Sequence, residues 1–206
     1  DESKFTVLES DPITITLSSG KPTRDVLYVQ GEFGGEILHL FVNHWPSRRQ
    51  GAGETDYKRI AAAKTLHTVI DQIRVQEENP KFIIMGDFND VAWSQTTRIF
   101  RKVGGLLDLR IGRGFFNTFS ANNIIMRWPL DHVFTTEEFR VKRIEVGHDI
   151  GSDHFPAFAE ITYEPERAQE QIPETPTENQ LKNARKQIKA EKEEDQEKAK
   201  EKAEKK

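Results

Sequence analysis

The chain has 206 residues, a net charge of −4, and is 35% hydrophobic and 31% charged. That length allows one domain, or one domain with a tail, and the acidic balance excludes a chain-wide basic field that would attract nucleic acid. The chain has no cysteine, which excludes disulfides, thiolate metal sites and a cysteine nucleophile. Its longest apolar runs, such as Phe82-Ile83-Ile84-Met85, are too short for a membrane-spanning helix. It opens on Asp1 without a secretory signal, which reads as a processed form or a fragment.

In chain order, residues 5–8 and 13–17 read as short strands, the second with a clean period of two in Ile13-Thr-Ile-Thr-Leu. Residues 25–33 and 36–43 flank Gly34-Gly35, a two-residue hairpin signal. Residues 55–74 predict an amphipathic helix, with Thr55 as N-cap and Ile60, Ala63, Ile70 and Ile73 on one face. Asn79-Pro80 stops it. Residues 81–86 predict a buried strand. Residues 95–103 predict a helix ended by Gly104-Gly105. Later strands are expected at 130–135, 140–146 and 157–163. The pattern is α+β with antiparallel neighbours.

Residues 164–206 hold 23 charges and no Phe, Trp, Tyr or Val. The segment reads as a linker around Ile172-Pro-Glu-Thr-Pro-Thr and then a disordered tail or solvated helix. Leu181, Ala184 and Ile188 are its only candidate apolar stripe.

Polar residues repeatedly end apolar strands. Leu38-His-Leu-Phe-Val-Asn43-His44 ends in an imidazole and leads into Trp45-Pro46-Ser47-Arg48-Arg49. Phe82-Ile-Ile-Met-Gly86-Asp87-Phe88-Asn89 ends in a carboxylate and an amide. Trp128-Pro-Leu-Asp131-His132 and Ser152-Asp153-His154 bring further carboxylates and an imidazole. Each piece alone is ordinary turn or strand-end chemistry. Two imidazoles, three carboxylates and an amide together fit metal-assisted attack on a phosphodiester. Carboxylates hold a hard cation, the cation offsets charge on phosphoryl oxygens, and a His paired with an Asp moves protons.

On these segments the sequence resembles the endonuclease/exonuclease/phosphatase superfamily. They are Asn43-His44-Trp-Pro-Ser-Arg, Gly86-Asp87-Phe-Asn89, Leu130-Asp131-His-Val-Phe and Ser152-Asp153-His154-Phe-Pro, four motifs in the family's order across residues 5–163. The resemblance implies a four-layered α/β/β/α sandwich over residues 1–163. It also implies Mg²⁺- or Mn²⁺-dependent hydrolysis of a phosphodiester, in nucleic acid or a phospho-headgroup, by in-line attack of water. The alternatives it leaves open are a phosphomonoesterase, a lipid-headgroup phosphodiesterase and a non-catalytic scaffold. By the same resemblance, Asp87 orients or deprotonates water near the metal, and Asn89 binds the scissile phosphate. His154 contacts the phosphate and transfers protons, and Asp131 is its partner. Asp153 belongs to the metal site, and His44 donates to the phosphate from the opposite side. Arg24 is a further candidate, and His132 is expected to be structural.

The chain departs from the family at its start. Family domains open with a strand ending in Asn, then a Glu in a Gln-Glu dipeptide that is the principal metal ligand. Nothing before Asp11 supplies either, and Glu9, Glu32 and Glu36 stand in the wrong context. The fold is therefore expected to lack its first β-α-β elements. The segments Gly86-Asp-Phe-Asn-Asp-Val-Ala-Trp93 and Arg127-Trp-Pro-Leu-Asp-His-Val-Phe134 are similar to bacterial members anchored by N-terminal membrane helices, so a membrane anchor upstream of residue 1 is an expectation. Arg48, Arg49, Lys58 and Arg59 are candidates for a basic rim. Trp45, Trp93 and Trp128 are candidates for stacking on a base or ring, with packing the expectation for Trp128 beside Pro129.

Overall fold

A computed structural model describes residues 4–48, 51, 55–123 and 125–204, with side chains as far as residue 201. The strands are β1 (Phe5–Ile13), β2 (Val26–Phe33), β3 (Glu36–His44), β4 (Lys81–Asp87), β5 (Leu107–Asp108), β6 (Asp131–Thr135), β7 (Phe139–Val146) and β8 (Ala157–Tyr163). The helices are α1 (Asp56–Gln76), α2 (Gln95–Val103) and α3 (Glu178–Glu204), with a 3₁₀ turn at Pro165–Glu170. Six strands form one sheet in the order β1-β2-β3-β4-β6-β5, and β7 and β8 form a second, two-stranded sheet. The β3–β4 pair is parallel, and α1 makes the crossover between them.

Strand alternation divides the large sheet into two faces. Phe41, Phe82, Ile84 and Phe134 point to one face and are fully buried with Leu66 and Ile70 of α1 and Phe100 of α2. Burying such a side chain contributes about 1.5–3 kcal/mol. The opposite face carries Leu38, Leu40, Ile83, Met85 and Val133, packed with Phe139, Ile161 and Tyr163 of the small sheet. That cover is partial: Leu27, Val42 and Phe158 are exposed. Helices, large sheet and small sheet are three successive layers of the expected sandwich, and among the described residues no helix backs the small sheet. No helix is long and apolar enough to cross a membrane among those residues.

The hairpin turns at Gly34 and Gly35, both at positive φ (62° and 86°), the conformation a two-residue turn requires. Residues 13–17 differ from expectation. β1 continues without a break to Ile13, and the period-two pattern beyond it buries Ile15 and Leu17 with only one bridge, Thr16 to Pro22. The chain turns back there, Leu17 N donating to Lys21 O and Thr23 N to Ile15 O. Thr55 precedes α1 but does not cap it. Its hydroxyl donates to Gly51 O and accepts from Arg59. Ser94 does cap α2, accepting from Thr97 N at 3.0 Å.

The tail corrects the expectation of a disordered segment or solvated helix. Residues 178–204 are helical and lie against α1 and α2. Ala184 and Ile188 face a groove edged by Ile60, Ala63 and Phe100. Two acids that composition assigns to solvent, Glu191 and Asp195, are buried. Ser18 Oγ donates to Glu191 at 2.7 Å, and Ser19 donates to Asp195 through both N and Oγ. Asp195 exchanges water for turn donors at both oxygens and Glu191 at Oε1, while Glu191 Oε2 is buried without a hydrogen-bond partner among the described residues. The linker is held by Glu174, which pairs with Lys102 and Arg101.

Candidate active site

Register brings the site together. His44 ends β3, Asp87 ends β4 and Asp131 opens β6, and the three are directly paired across adjacent strands. All three share the face that looks toward the small sheet. Gly86 lets β4 end this way. Its φ is +127°, and a Cβ there would fall on the backbone of Asn43.

Asp87 Oδ2 lies between two imidazoles, 3.6 Å from His44 Nε2 and 3.8 Å from His154 Nε2. His154 sits just before β8, and its Nδ1 is 2.7 Å from Asp131 Oδ2. That bond fixes the ring so that Nε2 faces Asp87. The backbone of residues 118–119 fastens this segment: Phe119 bridges His154, and Phe155 N donates to Thr118 O. Ser152 Oγ accepts from His154 N at 3.2 Å, a turn hydrogen bond.

Asn89 stands at φ +50°, and its backbone N donates to Asp87 Oδ1 at 2.7 Å. Its side-chain Nδ2 donates to Asp87 Oδ2 at 2.8 Å and to Trp45 O at 2.9 Å. One amide hydrogen holds Asp87 and the other is anchored on Trp45 O, so in this geometry Asn89 is a positioning residue.

These groups line a cleft of about 880 Å³. It takes in His44, Asp87, Asn89, Asp131, Asp153 and His154, together with Arg24, Arg48, Trp93 and Trp128. Arg24 donates to Trp45 O at 3.0 Å. Asp153 is exposed on the cleft wall. No glutamate among the described residues lines it: Glu36 pairs with Lys81 at 2.7 Å, outside the cleft. Trp45 is wholly buried against Phe88 and Phe100, which excludes stacking on a ligand. Trp128 departs from the expected packing: it is 43% exposed and adjoins Trp93, ring centroids 6.5 Å apart. Of the candidate basic rim, Arg48 reaches the cleft and pairs with Asp90 at 3.2 Å. Arg59 is buried between Asp56 and Asp90. Lys58 lines the neighbouring cleft. Arg49 lies outside the described residues.

The protonation pattern follows from position. Burial pushes Asp87 up to about 6, with nearby Asp131 adding to it, against the hydrogen bond from Asn89 N. Burial would also raise Asp131, but hydrogen bonds from His154 and Thr118 outweigh it and hold this carboxyl below its usual range. The bond to Asp131 raises His154 above an ordinary imidazole. Burial, then the charges of Arg24 and His154, lowers His44.

A buried network supports the site from behind, and three of its members carry no signal in the sequence. Arg110 makes a two-pronged pair with buried Asp108, and donates to Asp131 O at 3.1 Å and to His132 Nδ1. His132 in turn donates from Nε2 to Asp90 O at 2.8 Å. Burial, reinforced by Arg110, holds His132 down at about 3, so it is neutral and structural, as expected. Arg110, Asp108 and Asp90 stand in loop-like sequence, where nothing marks an inward side chain.

Oxygen and nitrogen atoms of Asp87, Asp131 and His154 lie within 4.8 Å of one another, a group that could hold a metal ion. The fit rests on the donors. Two carboxylates converge in a half-buried position, one of them pushed toward its neutral form by burial and then by its neighbour's charge, which a cation would offset.

The layered sandwich, with an Asp-supported imidazole facing a strand-end Asp-x-Asn, goes with a match to the Endonuclease/Exonuclease/phosphatase family, a superfamily of phosphoester hydrolases. A sequence profile of that family matches residues 1–123, and the chain belongs to it. No curated protein sequence is significantly similar. Among solved structures, the human Nocturnin catalytic domain with bound sulfate is similar at TM-score 0.64 and 18% identity, over 79% of this chain and 61% of that one. The mannosyl-6-phosphatase of Bacteroides thetaiotaomicron is similar at 0.59 and 22%, over 78% and 68%. D. rerio TDP2 complexed with single strand DNA product is similar at 0.59 and 19%, over 78% and 70%. At these identities the likeness is one of fold, and the chain spans about two thirds of the length of these structures.

Proposed function

We propose that the chain carries the catalytic cleft of a Mg²⁺- or Mn²⁺-dependent phosphodiester hydrolase. The observation that carries this reading is the row His44–Asp87–Asp131 with His154 bonded to Asp131 and turned toward Asp87. Asp87, poised near neutrality, orients water and accepts its proton as the water oxygen attacks phosphorus in line. The P–O bond to the leaving group breaks opposite, and His154, in the protonated form that its bond to Asp131 favours, returns a proton to the leaving oxygen. His44, kept neutral, donates to a phosphoryl oxygen from the other wall. Asn89 holds Asp87 in place at the cleft wall. Asp87 and Asp153, or the Asp87–Asp131 pair, would hold the cation, which would supply charge compensation for the phosphoryl oxygens. The fold neighbours include an enzyme with a DNA product and a sugar phosphatase, which supports a phosphate ester and leaves its organic part to experiment. A membrane anchor belongs to this proposal only through the family likeness of residues 86–93 and 127–134.

One observation favours a second reading, a non-catalytic module: no glutamate among the described residues lines the cleft. Hydrolysis of bis(p-nitrophenyl) phosphate with Mg²⁺ or Mn²⁺ separates the two. The enzyme reading expects turnover that EDTA abolishes and that Asp87→Asn and Asp153→Ala each reduce. Absence of turnover with either metal, in this chain and in a longer one restoring upstream residues, favours the module. p-Nitrophenyl phosphate run in parallel separates diester from monoester preference.

A further inference from the structure

The packed tail helix builds a second cleft, and its chemistry is the reverse of the first. It holds about 530 Å³ and opens between the 17–24 turn, the start of α1 and the last turns of α3. The catalytic cleft is lined by three carboxylates. The second has four cations, Lys21, Arg24, Lys58 and Lys198, against one lining acid, Asp195, whose oxygens are already taken by Ser19. The two clefts adjoin each other, because Arg24 and Ser47 line both. Lys58 and Lys198 converge on one aromatic ring. Their ammonium groups stand 5.7 Å and 4.5 Å from the centroid of Tyr57. Glu194 meets Lys198 at 2.6 Å and offsets part of that charge. The Tyr57 ring is itself buried, and an anion in the cleft would meet the charge of the cations that line it.

We propose that this cleft is an anion subsite that binds a second phosphate of the substrate, next to the one hydrolysed. α3 supplies its far wall through Lys198. The anion site stands on its own geometry; that its ligand is part of the substrate rests on the hydrolase reading above. The chain is acidic overall, so it does not gather polyanions by net charge. A local basic cleft abutting the catalytic one selects for substrates with phosphates on both sides of the scissile bond's sugar or headgroup.

Calorimetric titration of the full chain without divalent cation tests the site, using inorganic phosphate, 5′-phosphorylated tetrathymidylate and inositol 1,4,5-trisphosphate. At least one multiply phosphorylated probe is expected to bind about tenfold more tightly than inorganic phosphate. Lys58→Gln with Lys198→Gln is expected to remove that advantage while leaving bis(p-nitrophenyl) phosphate hydrolysis unchanged. The double Arg variant is expected to retain it. Asp87→Asn is expected to lose hydrolysis and keep the advantage. Response to the tetrathymidylate identifies a nucleic-acid strand as the source, and response to the trisphosphate a headgroup. Equal binding of all three probes, or an undiminished advantage in the double Gln variant, overturns the subsite. Absence of hydrolysis both in this chain and in the longer one restoring upstream residues, with the binding advantage intact, overturns the hydrolase reading alone.

Discussion

The two faces of the large sheet carry the same kinds of residue to different ends. His39 and His44 lie five residues apart on β3 and so point to opposite faces. His39 is completely buried, 2.9 Å from both Tyr28 Oη and Glu77 Oε2. His44 is exposed beside Asp87. His132 and Asp131 divide the same way on β6: the imidazole enters the helix-covered core and the carboxylate enters the cleft. Strand parity, more than residue type, decides which imidazole is structural and which is available for chemistry.

That contrast predicts which substitutions cost activity and which cost stability. The largest effect is expected at His154. His154→Ala should lower kcat for a phosphodiester by about 10²–10⁴, the range for losing a positioned proton-transfer group, with a smaller cost of about 1–3 kcal/mol in urea unfolding from the lost bond to Asp131. Phe82→Ala, one of the rings packed on the helix-covered face, should do the opposite. It should cost about 3–5 kcal/mol in urea unfolding, with kcat preserved in the folded fraction. A His154→Ala protein with full activity would remove the imidazole from the chemistry.

Much of this division is visible in the sequence, because parity and strand ends are written in it. The Leu38–His44 and Phe82–Asp87 runs give the period of two, and the polar residue after each apolar run marks where the sheet presents groups to ligand. Other features depend on distant partners. Asn89 carries a familiar spacing from Asp87, yet only the folded chain shows both of its amide hydrogens committed to Trp45 and Asp87. Arg110 is one charged residue among many until Asp108 and His132 are placed against it. Trp128 was expected to pack beside Pro129, but the loop that pairs it with Phe119 turns the ring outward to the cleft. Local pattern does not encode such contacts, because they join residues far apart in the chain.

The pH dependence of stability sharpens the contrast further. Native Asp87 titrates at about 6, against an ordinary 3.8. Between these values the folded chain keeps a proton that the unfolded chain has lost. The contribution of Asp87 to stability is therefore complete below about pH 4 and is lost as pH rises through 6. Allowing for partial exposure, the loss is on the order of 2 kcal/mol. Asp131 is shifted the other way, so the quantity to measure is the difference between the parent and Asp87→Asn across pH 4–7. That difference should move in favour of the Asn variant as pH rises. Mg²⁺ should recover part of the parent's loss at pH 7, since a ligand that binds only the native state stabilises it. A difference that stays flat with pH would mean that Asp87 is not held in a desolvating position.

The smallest effect is expected at α3, where composition and packing disagree most. A charged helix stays on the domain only if its buried acids keep their donors. Ser19 Oγ is one of these, 3.0 Å from Asp195. Ser19→Ala removes that hydroxyl and leaves the backbone N in place, so Asp195 keeps one partner. The cost should be about 1 kcal/mol in urea unfolding. Faster hydrogen exchange along α3 should accompany it, with exchange in β3 and β4 unchanged. A solvated helix would register neither change, because a serine exposed beside it has no bond to lose. If Ser19→Ala matches the parent in both measurements, α3 does not dock through this turn, and the wall of the basic cleft loses its anchor.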